Sequence, residues 1–383
     1  MKIVHLCLCS PVTDNFGYQD NLLPKFHKRL GHDVSVITSH NIFDKDGTIG
    51  YDERDVYYNE YNIKTIRLKT FFNTSVLFPL RKYKGLYKTI VSEEPDVLFI
   101  HGFQFLDITK IKKYAKHHQG VKIFIDSHAD FSNSARTFLT KNLLHKIIWK
   151  HYARLILPYV DKFYGVLPAR VDFLKDVYGL PEEKIELLLM GADDDKVKEA
   201  KNPKIREKIR AQNGISKDDF LIMTGGKIDK AKRQTLLLME AVNQIKDERV
   251  KLIVFGSVED ELKDDFFKLV DGERIKYLGW IESDETYKHF ASADLVVFPG
   301  RHSVFWEQTA ALGIPMIVKF WEGTTHVDLG GNCKFLYKDS AEEIKESILE
   351  LLRDKNLYNN MKKVAQKGII TFSYLNIAKQ SLK

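Results

Sequence analysis

Cysteine is scarce in this chain: Cys7, Cys9 and Cys333 are all it has among 383 residues. Two of them form a C-x-C inside an apolar run, which gives neither a disulfide framework nor a zinc-ligand spacing. They read as buried thiols in a reducing compartment. Long apolar runs are missing as well. No stretch approaches the roughly 18 apolar residues of a membrane span. The opening MKIVHLCLCSP turns polar after about eight residues, short for a signal peptide, so the expected location is cytoplasmic. No G-x-G-x-x-G follows a strand, and there is neither a P-loop nor a G-x-S-x-G; these absences argue against the common dinucleotide, nucleoside-triphosphatase and serine-hydrolase motifs. No DNA- or RNA-binding motif appears and the basic residues are spread along the chain, so nucleic acid is not an expected partner.

What is present describes a globular protein of two domains. Hydrophobic residues make up 44% and charged residues 29%, enough to bury two cores. A net charge of +7 favours anionic partners. Residues 3–9 read as a strand, a loop carries Gly17, residues 19–30 recur with helical spacing, and residues 34–38 form the next strand. Further strands are expected at residues 65–68, 96–101, 121–125 and 163–167. The strand at 121–125 ends in Asp126-Ser127-His128-Ala129-Asp130, a histidine flanked by carboxylates where α/β enzymes place working groups. A structural histidine is the alternative reading. Residues 141–159 read as a basic amphipathic helix, with Lys141, Lys146, Lys150 and Arg154 opposite an apolar side; such a helix suits either a solvated face or an anionic membrane surface. Asp193-Asp194-Asp195 reads as a helix cap, and the charged, aperiodic residues 198–217 as the linker.

The second half restarts the strand–helix alternation, with strands expected at residues 220–224, 251–255, 275–278, 295–298 and 316–320. Between the first of these and its helix lies Gly225-Gly226-Lys227-Ile228-Asp229-Lys230-Ala231-Lys232-Arg233. Glycines that admit close approach, with Lys227 and Lys232 beside them, can hold a diphosphate. The stretch LVVFPGRHSVFWEQTAALGIP, residues 295–315, is a buried strand, a polar turn and a helix that stops at Gly313 with Pro315 beyond. Such a unit binds ligands in open α/β sheets.

The ordered segments GHDVSVIT, IDSHAD, LLLMGADDDKV, GGKIDKAKRQTLLLMEA, YLGWIES with ADLVVFPG, and QTAALGIP resemble the retaining, family 4 type of GT-B nucleotide-sugar glycosyltransferase over nearly the whole length. The resemblance implies an α/β fold of two Rossmann-like, doubly wound domains facing a cleft. Residues 1–198 would hold the acceptor and residues 199–365 the nucleotide-sugar donor, with a helical region at 366–383 packing back on the first domain. It implies that Lys227 and Lys232 neutralise the donor diphosphate without a metal, and that His128 reaches the reacting sugar. Gly17 would lie in the loop that approaches the donor phosphates or the acceptor, and Gly226 in the loop that holds the donor. Backbone amides near Ser303, Val304 and Phe305 would touch its phosphate and sugar.

The family's E-x7-E pair falls on Gly300 and Gln308, so neither carboxylate is in register. Gln308 can still bond a ribose hydroxyl, and Arg301, His302 or Glu307 are the candidates to stand in for the first carboxylate. The expected function is transfer of a sugar to a glycan or lipid-linked acceptor in cell-surface polysaccharide or glycoconjugate synthesis. A nucleotide-sugar epimerase of the same fold, or a non-catalytic partner subunit, remains open.

Overall fold

The computed structural model describes residues 1–44, 48–71, 81–135 and 137–383. Contacts divide the chain into two units: Met1–Leu189 with Ile377–Lys383, and Met190–Asn376.

The first unit is built on a sheet whose strands run, edge to edge, Ile185–Leu187, Lys162–Gly165, Lys122–Ser127, Val97–His101, Lys2–Cys7, Asp33–Ser39, Lys64–Leu68 and Val56–Tyr58. Every neighbouring pair is parallel except the last, which is antiparallel. The chain winds outward from Lys2–Cys7 in one direction and then returns to wind outward in the other from Val97–His101. This reversal is a topological switch point, where loops at the carboxyl ends of strands separate and leave room for a ligand. The loop carrying Gly17 follows the first strand there. Ile3, Val4, Leu6, Leu98, Ile100, Ile123 and Ile125 are fully buried, as expected for parallel strands covered on both faces.

The second unit repeats the design with six parallel strands in the order Ile275–Tyr277, Val250–Phe255, Phe220–Gly225, Leu295–Phe298, Met316–Lys319 and Cys333–Leu336. Its switch point lies between Phe220–Gly225 and Leu295–Phe298. The Gly225–Arg233 loop and the Pro299–Val304 turn therefore leave adjacent strands side by side. Both units are Rossmann-like.

Two expectations are corrected. Residues 198–217 are not a linker. They hold the helices Asp194–Ala200 and Pro203–Gln212, and their charges are used internally. Arg206 and Arg210 both pair with Asp294, at 2.6 and 3.0 Å. They also donate to carbonyls at the end of helix Ser283–Ser292, satisfying groups that helices leave unpaired. Charge density alone suggested solvent, whereas paired arginines can be core-facing. The second correction is the 141–159 helix, which is three pieces: a wide π-type turn over Thr140–Trp149, an α-helix Lys150–Ile156 and a 3-10 turn Leu157–Tyr159. Its apolar residues divide accordingly. Leu144, Ile148, Tyr152 and Leu155 pack on the core, but Leu143 and Ile147 are exposed. Asp193 does cap a helix, its side chain accepting from the Asp195 amide.

Candidate functional site

Each unit gathers its own set of the residues singled out by sequence. In the second unit the Phe220–Gly225 strand ends in Gly226, whose φ of +117° excludes most side chains. A Cβ built there would lie 3.6 Å from both Lys232 Nζ and the Phe305 ring. Gly300 in the neighbouring turn likewise faces Lys232, its built Cβ 3.4 Å from the Lys232 Cα and 3.3 Å from Gln234 Oε1. Gly226, Lys232, Gly300 and Phe305 are thus brought together at the switch point. Lys232 is half-buried and makes no ion pair among the described residues. Burial pushes its pKa down from the ordinary value, with Asp229 opposing. A desolvated ammonium with no carboxylate in ion-pair contact is one that an anion would stabilise.

Lys227 is placed differently. It is exposed, with Nζ 3.0 Å from Glu259 and 4.0 Å from Asp229, and the Glu259 carboxylate raises its pKa. The helix Phe305–Leu312 starts without a side-chain cap. The Trp306 amide bonds back to Ser303 and the Gln308 amide to Val304. Gly313 closes the helix at φ +74°, its amide on Ala310 and the Ile314 amide on Thr309.

Inside that helix the carboxylate question has an answer the sequence did not give. Glu307 is fully buried and its Oε1 accepts from His302 Nε2 and from His326 Nε2, each at 2.8 Å. Burial would raise its pKa, but His302 and His326 outweigh this and hold it well below the usual carboxylate range. Glu307 therefore ties the turn, the helix and the Thr325–Val327 segment together and does not face solvent as a stand-in for the missing carboxylate. Gln308 is also buried, with Oε1 unpartnered among the described residues.

In the first unit His128 follows the Lys122–Ser127 strand, its side chain 38% exposed and Nε2 3.5 Å from Asp126 Oδ1. Its loop is fixed by Asp130, which accepts from Ser132 and Asn133 and pairs with Arg170 at 3.0 Å. Asn133 Nδ2 in turn donates to the His128 carbonyl. Gln19, two residues beyond Gly17, donates to Asp126 Oδ2 at 2.9 Å, so the Gly17 loop and the His128 loop are joined through one carboxylate. Asp126 is fully buried, and nothing in the IDSHAD segment that contains it gives it this role from sequence alone. Among the described residues, two groups gather three side chains with ligand-type atoms within 4.8 Å of one another: His302, Glu307 and His326, and Cys7, Asp20 and His101, where burial pushes the Cys7 thiol up to about 12 and keeps it protonated.

Comparisons with known proteins agree with this architecture. The family model "Glycosyltransferase Family 4" matches residues 21–196 and "Glycosyl transferases group 1" matches residues 205–368. An uncharacterized glycosyltransferase of Methanocaldococcus jannaschii is 23% identical over 218 residues, 54% of this chain and 55% of that protein. A Campylobacter jejuni enzyme is 23% identical over 254 residues, 63% of this chain and 65% of its own. Its name is N-acetylgalactosamine-N,N'-diacetylbacillosaminyl-diphospho-undecaprenol 4-alpha-N-acetylgalactosaminyltransferase. The chain thus spans between about half and two thirds of the length of these curated relatives. Among solved structures, Anabaena HepE in complex with UDP superposes with a TM-score of 0.68 at 16% identity, covering 99% of this chain and 98% of that one.

Proposed function

The chain belongs to the family 4-like glycosyltransferases of GT-B fold, its two halves each matching one of the two family models, and from that premise we propose that it is a retaining enzyme moving a sugar from a nucleoside diphosphate donor to a glycan or lipid-linked acceptor. The observation that carries the donor half of this reading is the convergence of Gly226, Lys232, Gly300 and Phe305 at the second switch point. Lys232 would face the diphosphate and stabilise the leaving nucleotide, a task that needs charge in a fixed place. Lys227 would join it by leaving Glu259. Amides at Ser303–Phe305 would take the remaining phosphate oxygens, and Gln308 a ribose hydroxyl. His128 would reach the reacting sugar from its own unit.

Two comparisons support the choice of substrates without fixing them: HepE is described with UDP, and the Campylobacter relative is named for a diphospho-undecaprenol acceptor. A panel of nucleotide sugars with glycan and polyprenyl-diphosphate acceptors tests the reading. Transfer with the donor's anomeric configuration kept, read by NMR, is expected. Release of a free epimerised sugar would make the protein an epimerase, and nucleotide binding without turnover would make it a partner subunit.

We read His302–Glu307–His326 as a hydrogen-bonded clasp and propose transfer without a metal. Activity is then expected to survive excess EDTA within about twofold, and a loss restored by added Zn²⁺ or Mg²⁺ would refute this.

Acceptor access would come from peripheral binding to an anionic bilayer. No helix among the described residues is long and apolar enough to cross a membrane. Residues 131–160 contain no Asp or Glu, and Phe138, Leu139 and Ile147 are 80%, 68% and 60% exposed beside Lys141, Lys146 and Lys150. Flotation is expected with vesicles containing anionic lipid. The double variant Leu139→Asp, Ile147→Asp should reduce it by about tenfold or more, whereas equal recovery of wild type on neutral and anionic vesicles would remove the electrostatic part.

A further inference from the structure

Beneath His128 runs a line of buried titratable groups that the proposed transfer does not use directly. His101 Nδ1 lies 2.8 Å from Asp126 Oδ2. His101 Nε2 is 3.0 Å from His5 Nδ1, and His5 Nε2 is 3.0 Å from His27 Nδ1. His27 Nε2 ends the line 3.1 Å from the Ala378 carbonyl and 2.9 Å from Ser381 Oγ, in the C-terminal segment of the same unit. Asp126, His5 and His27 are completely buried and His101 is nearly so.

The ends of this line dictate its protons. A carbonyl only accepts, and an ionised carboxylate only accepts. The Ala378 carbonyl can only accept, so its contact with His27 Nε2 takes the hydrogen from that nitrogen, Ser381 Oγ donates to the same carbonyl, and His27 Nδ1 is an acceptor. His5 then donates from Nε2 and accepts at Nδ1, and His101 donates from Nε2. That leaves His101 Nδ1 against Asp126. The contact is short but bent, the ring N–H direction falling off the oxygen. A bare nitrogen there would still set two lone pairs against each other at 2.8 Å. Four contacts need four protons, and three neutral imidazoles supply three. One extra proton is required, and it balances the Asp126 charge.

We propose that His101 is the positioning residue of His128, acting through Asp126: the His27–His5 pair, anchored on the Ala378 carbonyl, obliges His101 to be an imidazolium, which keeps Asp126 an ionised, charge-balanced carboxylate with Oδ1 turned toward His128. The directions of the pKa shifts agree. Burial lowers His101, but Asp126 outweighs it and His101 is raised well above 6.5. Burial lowers His5 and His27, the latter to about 3, so both stay neutral. The other groups facing the line are Asp20 and Cys7 at His101 and His32 at His27. Asp126 Oδ1 has no hydrogen-bond partner among the described residues, and neither has His128 Nε2; a small rotation of the half-exposed ring would pair them and fix which nitrogen His128 presents.

The assignment of a role to His128 rests on the glycosyltransferase reading, whereas the proton arrangement does not, so the test has two arms. In ¹⁵N-histidine-labelled protein at about pH 8, His101 should show both ring nitrogens protonated, and His5 and His27 should be Nε2–H tautomers, with signals assigned by single variants. A neutral His101 overturns the proposal. In transfer assays, His101→Gln should lower kcat by about 10- to 100-fold, with the donor KM changed less than about twofold, as expected when a reacting-centre group is misplaced. His27→Phe should lower kcat in the same way, and His27→Gln, which can donate to Ala378 and accept from His5, should recover most of it. An unchanged kcat in His101→Gln would also overturn the proposal. If wild type transfers no sugar at all, the functional reading fails and the NMR arm still decides the charge arrangement.

Discussion

Replacing Lys232 with alanine is expected to lower kcat/KM for sugar transfer by about 10²–10³-fold, the range seen when one preorganised charge-stabilising group is removed. The same change at Lys227 should cost about tenfold or less. The two lysines flank the same loop and sequence alone makes them equivalent, but their surroundings separate them. Lys227 is more than half exposed and already shares its charge with Glu259, so bringing it to a diphosphate means giving up one anion for another in water, a small net gain. Lys232 is half-buried against Gly226, Gly300 and Phe305 with no ion-paired carboxylate among the described residues and only the weaker field of Asp229 opposing its desolvation, so a bound diphosphate gains much of its field in a poorly solvated place.

The pKa direction gives a second signature. Burial depresses the Lys232 ammonium, and a bound anion favours its charged form. Nucleotide affinity should therefore be full at neutral pH and fall as pH rises through the depressed pKa. Lys232→Ala should lose that alkaline limb while melting at an unchanged or higher temperature, since it removes a desolvated charge that Asp229 only partly offsets. Equal kinetic losses at the two lysines would mean that the loop rearranges on binding and that the free geometry does not identify the working group.

The contrast between these lysines marks where sequence reading stops. The loops at both switch points are legible in the sequence, because the apolar runs 3–9, 220–224 and 295–298 each stop at a polar, glycine-bearing stretch; that the sheets reverse there is a matter of strand order, which no local pattern carries. Helix ends were legible for the same local reason; Gly313 announces its own stop. What escaped is long-range pairing. His5 sits in an apolar strand with nothing nearby in sequence to explain it, because its partners are His27 and His101. Glu307 looked like a spare carboxylate beside His302, and nothing marked His326 as its second partner. Arg206 and Arg210 belong to a stretch whose charge and lack of period read as a linker, because their partner Asp294 lies far along the chain. The short strands Val56–Tyr58 and Ile185–Leu187 were missed because edge strands of three residues are too brief to show a period.

Glu307 supplies the largest expected effect on stability. Glu307→Ala should destabilise the protein by about 3–5 kcal/mol in chemical denaturation at neutral pH, the cost of removing one partner from a buried ionic cluster. His302 and His326 both lose the oxygen that accepts their Nε2 hydrogens, and the helix start loses its tie to Thr325–Val327. Glu307→Gln separates charge from shape. Its amide oxygen can accept from both rings, so about 1–3 kcal/mol should be lost, mostly charge assistance and an amide left unpaired where Oε2 is unpartnered now.

The pH dependence follows from the sign of the shift. Glu307 is held below its unfolded value of 4.5, so the folded state resists a proton that the unfolded state accepts. Its contribution is present above about pH 4.5 and fades as pH falls toward the depressed folded value. The gap in stability between wild type and Glu307→Ala should therefore be constant near neutrality and narrow on acidification below about pH 4.5. A gap that stays constant to pH 3 or so would mean that the carboxylate is stabilised no more in the fold than in the unfolded chain. The clasp would then be packing alone. If the gap narrows as expected, the helix that has no family carboxylate in register keeps one buried carboxylate to hold its own start in place, and under the proposed function recognition of the donor sugar falls to other groups.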